Sequence, residues 1–172
     1  NSFNYKKNLT LHVGNSGTLG RLILALLIRS PYKIKLIGDR SLSRRDFLRV
    51  IEPLKKFGAN FYPKNKKTLP LYIRGTNFLR PIRYYESRGS AQVKSSIMLA
   101  ALNAPGTTKI IAHKSRDHTE ILFKYLKIPI KIKKIKKFDH IEIKEKQNFK
   151  AFDYKIPGDI SSASFLIVLT LL

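Results

Sequence analysis

The sequence runs to 172 residues, with 34 Lys and Arg against 11 Asp and Glu, a formal net charge of +23, and no cysteine. That length supports one substantial core or two small repeated ones, and a hydrophobic content of 43% excludes a disordered tail. The lack of cysteine excludes a disulfide framework and thiolate metal sites and fits a reducing compartment, while no stretch has the length of a membrane span or the pattern of a signal peptide.

The first strong pattern is "GNSGTLGRLILALL", residues 14–27, a Gly/Ser-rich loop running into a nearly all-apolar helix. A strand-like "YKIKLIGD" follows, then "SLSRRDFLRVIEPLKKFGA", where Phe47, Val50, Ile51, Leu54 and Phe57 fall at helical spacing. Short strands are expected at "ANFYP", "LPLYIRG" and "RPIRYYE". The order then begins again. "SRGSAQVKSSIMLAALNA" is a second loop and apolar helix, and "TTKIIAHK" a second strand. "SRDHTEILFKYLKI" carries Ile121, Leu122, Tyr125 and Leu126 on one helical face, with Asp117 or Thr119 as its N-cap. Strands are expected at "IPIKIKKIKKF", "HIEIKEK" and "FDYKIP", with a hairpin through Phe138, Asp139 and His140. Ile128, Ile130 and Ile132 alternate with Pro129, Lys131 and Lys133, the pattern of a half-buried strand with a lysine outer face. "PGDISSASFLIVLTLL" opens a third apolar helix, with Asp159 as its cap.

The unit is therefore helix, strand, helix and two or three strands, recurring after about seventy residues. The fold class is α/β, with mixed sheets because hairpins close each unit, and with the apolar helices buried centrally. Asn1 at the start and an uncapped apolar helix at Leu172 lead to the expectation of an internal piece of a longer protein, truncated at both ends.

Four loops set polar residues at helix N-termini: residues 15–18, 43–45, 90–92 and 115–117. Free N–H groups and partial positive charge make such termini good sites for phosphate and carboxylate. Arg45 and Arg116 add planar forks at matching places in the two repeats, which suggests convergence on one anionic site. Plainer readings stand beside these. The loop residues serve equally as turns and caps, and Arg45 and Arg116 as surface groups paired with Glu52 or Glu120. Lys94 is as well placed for a solvated helix position as for a ligand contact. His12, His113, His118 and His140 lack metal-ligand spacing, so no metal is expected. The run "KIKKIKK" has no interleaved aromatic residue and reads as a wet strand face rather than an RNA stripe.

"GNSGT", "GDRSLSRRDFLRVIEPLKKFGA", "SAQVKSSIMLAAL", "SRDHTE" and "PGDISSASF" resemble the EPSP synthase (3-phosphoshikimate 1-carboxyvinyltransferase) family in sequence, order and spacing. "SRDHTE" with "SAQVKS" is the specific combination. The resemblance implies an enolpyruvyl transferase fold, an inside-out α/β barrel of repeated βαβαββ units. On that pattern residues 1–156 form a shikimate 3-phosphate-binding domain of two units, about 1–86 and 87–156. Residues 157–172 then begin a further unit, a crossover to a second domain.

The implied reaction moves the enolpyruvyl group of phosphoenolpyruvate to the 5-hydroxyl of shikimate 3-phosphate, with no metal or organic cofactor. By motif, Gly17 and Arg45 hold phosphoenolpyruvate, with Asn15 and Thr18 shaping that loop. Ser90, Ala91 and Gln92 contact shikimate 3-phosphate, Gln92 also reaching phosphoenolpyruvate, and Ser115 and Arg116 bind the shikimate phosphate. The resemblance also implies a cytoplasmic enzyme, monomeric when complete, whose partners are small anions rather than nucleic acid or membrane.

Two departures matter. Asp46 stands where the family has Pro, free either to pair with Arg45 or to cap the helix. The family's early Lys-Ser loop and later Asp, Glu, Lys and Arg groups are missing, so no catalytic residue is expected here and the chain alone should be inactive. Two alternatives remain. One is the sister transferase acting on UDP-N-acetylglucosamine, which lacks "SRDHTE" and "SAQ". The other is a basic nucleic-acid-binding repeat domain, which would lose affinity steeply with salt.

Overall fold

In a computed structural model of the chain, the described residues are 6–64, 67–145, 152–156, 158 and 160–170. The first repeat runs β1 (Thr10–His12), α1 (Gly17–Leu26), β2 (Lys33–Ile37), α2 (Leu48–Phe57), β3 (Asn60–Tyr62) and β4 (Leu71–Arg74). The second runs β5 (Arg83–Glu86), α3 (Ala91–Ala101), β6 (Thr107–His113), α4 (His118–Tyr125), β7 (Ile130–Ile135) and β8 (Phe138–Lys144). A last helix, α5, covers Ile160–Leu169.

Each repeat closes its own four-stranded sheet, in the orders β1-β2-β4-β3 and β5-β6-β8-β7. In both, the first pair is parallel across a helical crossover and the remaining pairs are antiparallel. The mixed sheets expected from the hairpins are thus present twice, with one topology. The segment "RPIRYYE" is a correction to the expected unit boundary. Its strand β5 pairs with β6, from Arg83 opposite Lys109 to Glu86 opposite Ala112, so it opens the second sheet instead of closing the first.

The periodicity of α2 is realised as burial, but that expected of α4 is not: Ile121 and Tyr125 are exposed, Leu122 and Leu126 half-buried, and Glu120 and Phe123 face inward instead. Phe47, Val50, Ile51, Leu54 and Phe57 all lie inside, and Gly58 ends α2 in the left-handed conformation that glycine tolerates. Ile128 is buried and Ile130 and Ile132 are half-buried, while Pro129, Lys131 and Lys133 face solvent. The two-residue turn lies earlier than expected. Ile135 pairs with Phe138, so Lys136 and Lys137 make it, with Lys136 at φ 52, and Phe138, Asp139 and His140 belong to β8. Residues 152–156 of "FDYKIP" form no strand, and Asp159 lies outside the described residues.

Helices from the two repeats pack directly: α3 lies against both α1 and α2, and one apolar cluster runs through Leu24, Ile28, Phe47, Val93, Ile97, Met98 and Ile141. The central burial expected of the apolar helices holds for α1 and α3. Inside that cluster sits a charge. Lys94 is fully buried and pairs with the buried Glu120 of α4 at 2.5 Å, so it is neither a solvated helix residue nor a surface ligand. The same pair removes Glu120 as a partner for Arg116. Ser95 Oγ and Thr119 Oγ1 add a hydrogen bond of 2.7 Å between α3 and the start of α4.

Removing one member of a buried ion pair strands the other charge, at about 3–5 kcal/mol. Lys94→Ala or Glu120→Ala should each lower the unfolding free energy in denaturant titrations by about that amount. Lys94→Met combined with Glu120→Leu should recover most of the loss, and a fully additive double variant would show that the two charges do not depend on each other.

Candidate functional site

The site begins where β1 ends. The chain turns at Gly14, whose φ of +55 suits a residue without Cβ, and its N–H donates to His12 Nδ1 at 3.1 Å. Ser16 then caps α1, accepting from the Leu19 N–H at 3.1 Å. The second repeat builds the same corner by other means. The buried Glu86 carboxylate at the end of β5 accepts from the N–H groups of Arg88 and Ser90 at 3.1 and 2.9 Å, folding the loop so that Ser90 caps α3 through Val93 N–H.

These two corners face each other. Thr18 and Gln92 each stand two residues after their helix cap, and Gln92 Nε2 donates to Thr18 Oγ1 at 2.8 Å. The N-termini of α1 and α3, with their free N–H groups and partial positive charge, therefore meet at one point. Two guanidiniums join them there. A Cβ built on Gly17 would stand 3.0 Å from Arg21 Nη1 and 3.3 Å from Arg45 Nη1.

Residues 43 and 44 of the expected loop lie in the short 3-10 helix Leu42–Arg44, and Arg45, Asp46 and Phe47 stand between it and α2. That loop is therefore not an α-helix N-terminus as expected, but it still brings Arg45 over Gly17. Asp46 takes the capping role instead of an arginine pair: its Oδ1 accepts from the Leu48 N–H at 2.6 Å. The segment before α4 is less tightly tied in. Asp117, one of the two residues expected there, is the N-cap of α4, but its side chain makes no cap hydrogen bond. Arg116 is exposed, and the Ser115 hydroxyl is buried without a partner among the described residues. Of the expected site residues, hydrogen bonds and close approach thus join Gly17, Thr18, Arg45 and Gln92. Ser90 and Ala91 flank them, and Asn15 lies exposed on the same loop. Ser115 and Arg116 occupy a separate loop of the second repeat.

Arg21 is the residue that sequence reading missed. It is 4% exposed, donates from Nη1 to Gln92 Oε1 at 2.7 Å and from Nη2 to the Asp46 carbonyl at 3.3 Å, and lies over the Phe47 ring. Burial lowers its pKa first, then the like charges of Arg49 and Arg45, against an opposing pull from Asp46. The available signal was a single arginine inside an otherwise apolar helix. A neighbouring cleft of about 470 Å³ is less suited to an anion, since Arg49 and Arg88 there are offset by Asp46, Glu52 and Glu86. Burial and those glutamates also raise the pKa of Tyr84 in its wall.

Comparison with known proteins identifies the family of this fold. The chain matches the family described as EPSP synthase (3-phosphoshikimate 1-carboxyvinyltransferase) over residues 1–172. It is 44% identical over 160 residues to the 3-phosphoshikimate 1-carboxyvinyltransferase of Thermotoga sp. (strain RQ2), covering 92% of this chain and 37% of that protein. It is 40% identical over 161 residues to the enzyme of the same name from Streptococcus pyogenes serotype M4, again covering 92% and 37%. The solved EPSP synthase of Acinetobacter baumannii superposes with a TM-score of 0.78 at 34% identity, over 93% of this chain and 36% of that one. The chain thus spans little more than a third of the length of these curated relatives.

The two loop glycines have separable consequences. Gly14 has left-handed φ but nothing within 4 Å of an added Cβ, so Gly14→Ala should cost about 1 kcal/mol of stability and leave anion affinity intact. Gly17 lacks that φ, but its added methyl would press on the held guanidinium of the buried Arg21 at 3.0 Å and on that of the exposed Arg45 at 3.3 Å. Gly17→Ala should weaken anion binding, read with inorganic phosphate in titration calorimetry, by a larger factor than its modest thermal cost explains. A large thermal loss at Gly17 with unchanged affinity would reduce the loop to an ordinary turn.

Proposed function

The chain belongs to the EPSP synthase family, and on that premise we propose that it supplies the anion-binding face of a transferase moving the enolpyruvyl group of phosphoenolpyruvate to shikimate 3-phosphate. The observation that carries the reading is the Thr18–Gln92 contact, which joins two helix N-termini beside Arg21 and Arg45. In the reaction, the phosphoenolpyruvate methylene carbon is protonated as the 5-hydroxyl attacks the adjacent carbon. The resulting tetrahedral adduct then loses a proton from the new methyl group as it expels phosphate, which restores the carbon–carbon double bond of the enolpyruvyl ether. Every species along that path is anionic, and a preorganised cluster of N–H donors and guanidiniums holds such charge without reorganising.

Within this scheme Gly17 lets the anion approach the α1 backbone, Arg45 holds phosphoenolpyruvate by its planar fork, and Gln92 reaches both substrates. Asn15 and Thr18 shape the loop. Ser90 and Ala91 meet shikimate 3-phosphate at the start of α3, and Ser115 and Arg116 bind its phosphate. Acid–base groups come from outside these residues, so this chain alone binds weakly and turns nothing over. Neither metal nor organic cofactor is required. The complete protein works as a cytoplasmic monomer, and its positive field draws in small anions rather than nucleic acid.

A charge-assisted phosphate contact is worth about 1.5–3 kcal/mol, roughly ten- to hundredfold in affinity. In the complete enzyme, Arg116→Ala should therefore raise the KM for shikimate 3-phosphate by that factor and the KM for phosphoenolpyruvate far less. Equal effects on both substrates would deny Arg116 its role. Phosphate release by the isolated chain from both substrates would show that it carries its own acid–base groups. A steep salt-dependent affinity for nucleic acid, without affinity for either substrate, would favour the basic repeat-domain alternative.

A further inference from the structure

Arg21 is buried, and its position is fixed from several sides. Its guanidinium lies over Phe47 at 5.3 Å, Nη2 reaches the Asp46 carbonyl at 3.3 Å, and Nη1 approaches the Gly17 carbonyl at 3.4 Å. Among the described residues no carboxylate forms an ion pair with it, and its Nε is buried without a hydrogen-bond partner. The short bond of the set, 2.7 Å, goes to Gln92 Oε1, from the first repeat to the second.

That bond decides which way the Gln92 amide faces. The two ends of a glutamine amide are nearly alike in shape, so only the chemistry of their partners tells them apart. A guanidinium has donors and no acceptor, so the oxygen must face Arg21 and the NH₂ must face away. Thr18 Oγ1 accepts one of its hydrogens at 2.8 Å, leaving the other to donate into the site. Turned the other way, the amide would present a carbonyl oxygen to an incoming anion and set its hydrogens against a cation.

We propose that Arg21 is a positioning residue of the anion site, acting through Gln92: it holds the amide with its N–H groups toward the ligand and fastens the second repeat to the first at that point. This rests on the reading of the site as the phosphoenolpyruvate site. Lysine would keep the charge at this position but lose the planar fork that spans Gln92 and the Asp46 carbonyl together.

The test is a double-mutant cycle in the complete enzyme, read as phosphoenolpyruvate affinity by calorimetry beside thermal unfolding. Arg21→Lys should weaken binding about tenfold in the native background and less than twofold when Gln92→Ala is already present. Additive losses, or a native affinity in Arg21→Lys while Gln92→Ala binds weakly, would overturn the positioning role and leave the site assignment standing. Unchanged affinity in Gln92→Ala would overturn the site assignment and the positioning role together. Gln92→Glu keeps the question open to test if Arg21 variants fail to fold. A carboxylate opposite the buried guanidinium should raise the melting temperature while cutting phosphoenolpyruvate affinity more than tenfold. A lowered melting temperature would place Arg21 out of contact with residue 92 and overturn the proposal.

Discussion

The docking of α1 against α3 is the constraint on which the candidate site depends. Among the described residues no strand pairing joins the two sheets, since each closes within its own repeat, so the helices hold the repeats in register. Gly20 and Ala25 on α1 and Ser96, Ala100 and Ala101 on α3 keep the buried surfaces of these helices slim. The Ser96 hydroxyl donates to the Arg21 carbonyl at 3.4 Å, tying the α3 side chain to the α1 backbone. Rotation or sliding of either helix would part Thr18 from Gln92, and with them the paired N-termini.

Two buried cations lie along this contact and are compensated in opposite ways. Lys94 has Glu120, and the pair is electrically closed, so its effect is on the stability of the second repeat. Arg21 has neutral oxygens and an aromatic ring, which satisfy its geometry without cancelling its charge. Its field is therefore still available where the helix N-termini meet, next to the exposed Arg45. Natural proteins seldom leave a buried charge in that state without use, because an isolated ion costs several kcal/mol to desolvate.

Much of this was legible in the sequence, and what was legible is local. Apolar spacing gave the helical faces of α2 and of the buried helices, the Ile/Lys alternation gave the outer strand β7, and Gly, Ser and Asn marked the loops that carry the site. The failures have physical causes. The β7–β8 turn escaped because Lys136 adopts left-handed φ where Gly or Asn would ordinarily announce it. Strand β5 looked like the close of the first unit because nothing in "RPIRYYE" says which sheet will accept its hydrogen bonds. Lys94 and Arg21 are long-range cases. Glu120 lies on a different helix, and Gln92 is 71 residues from Arg21, so neither partner can be inferred from neighbours in the chain.

The self-closed sheets bear on how the site is acquired during folding. Every strand ladder among the described residues joins residues within one repeat, whereas the Thr18–Gln92 and Arg21–Gln92 bonds span 74 and 71 residues. Secondary structure can thus be complete in both halves before the site exists, and spectroscopy of the backbone would not register the difference. An anionic ligand of the proposed site would, because that site exists only in the docked arrangement and binding shifts the equilibrium toward it by mass action. On the proposed reading the ligand is a third element of the interface between the repeats, and its concentration is one of the variables that set how firmly the two halves are joined.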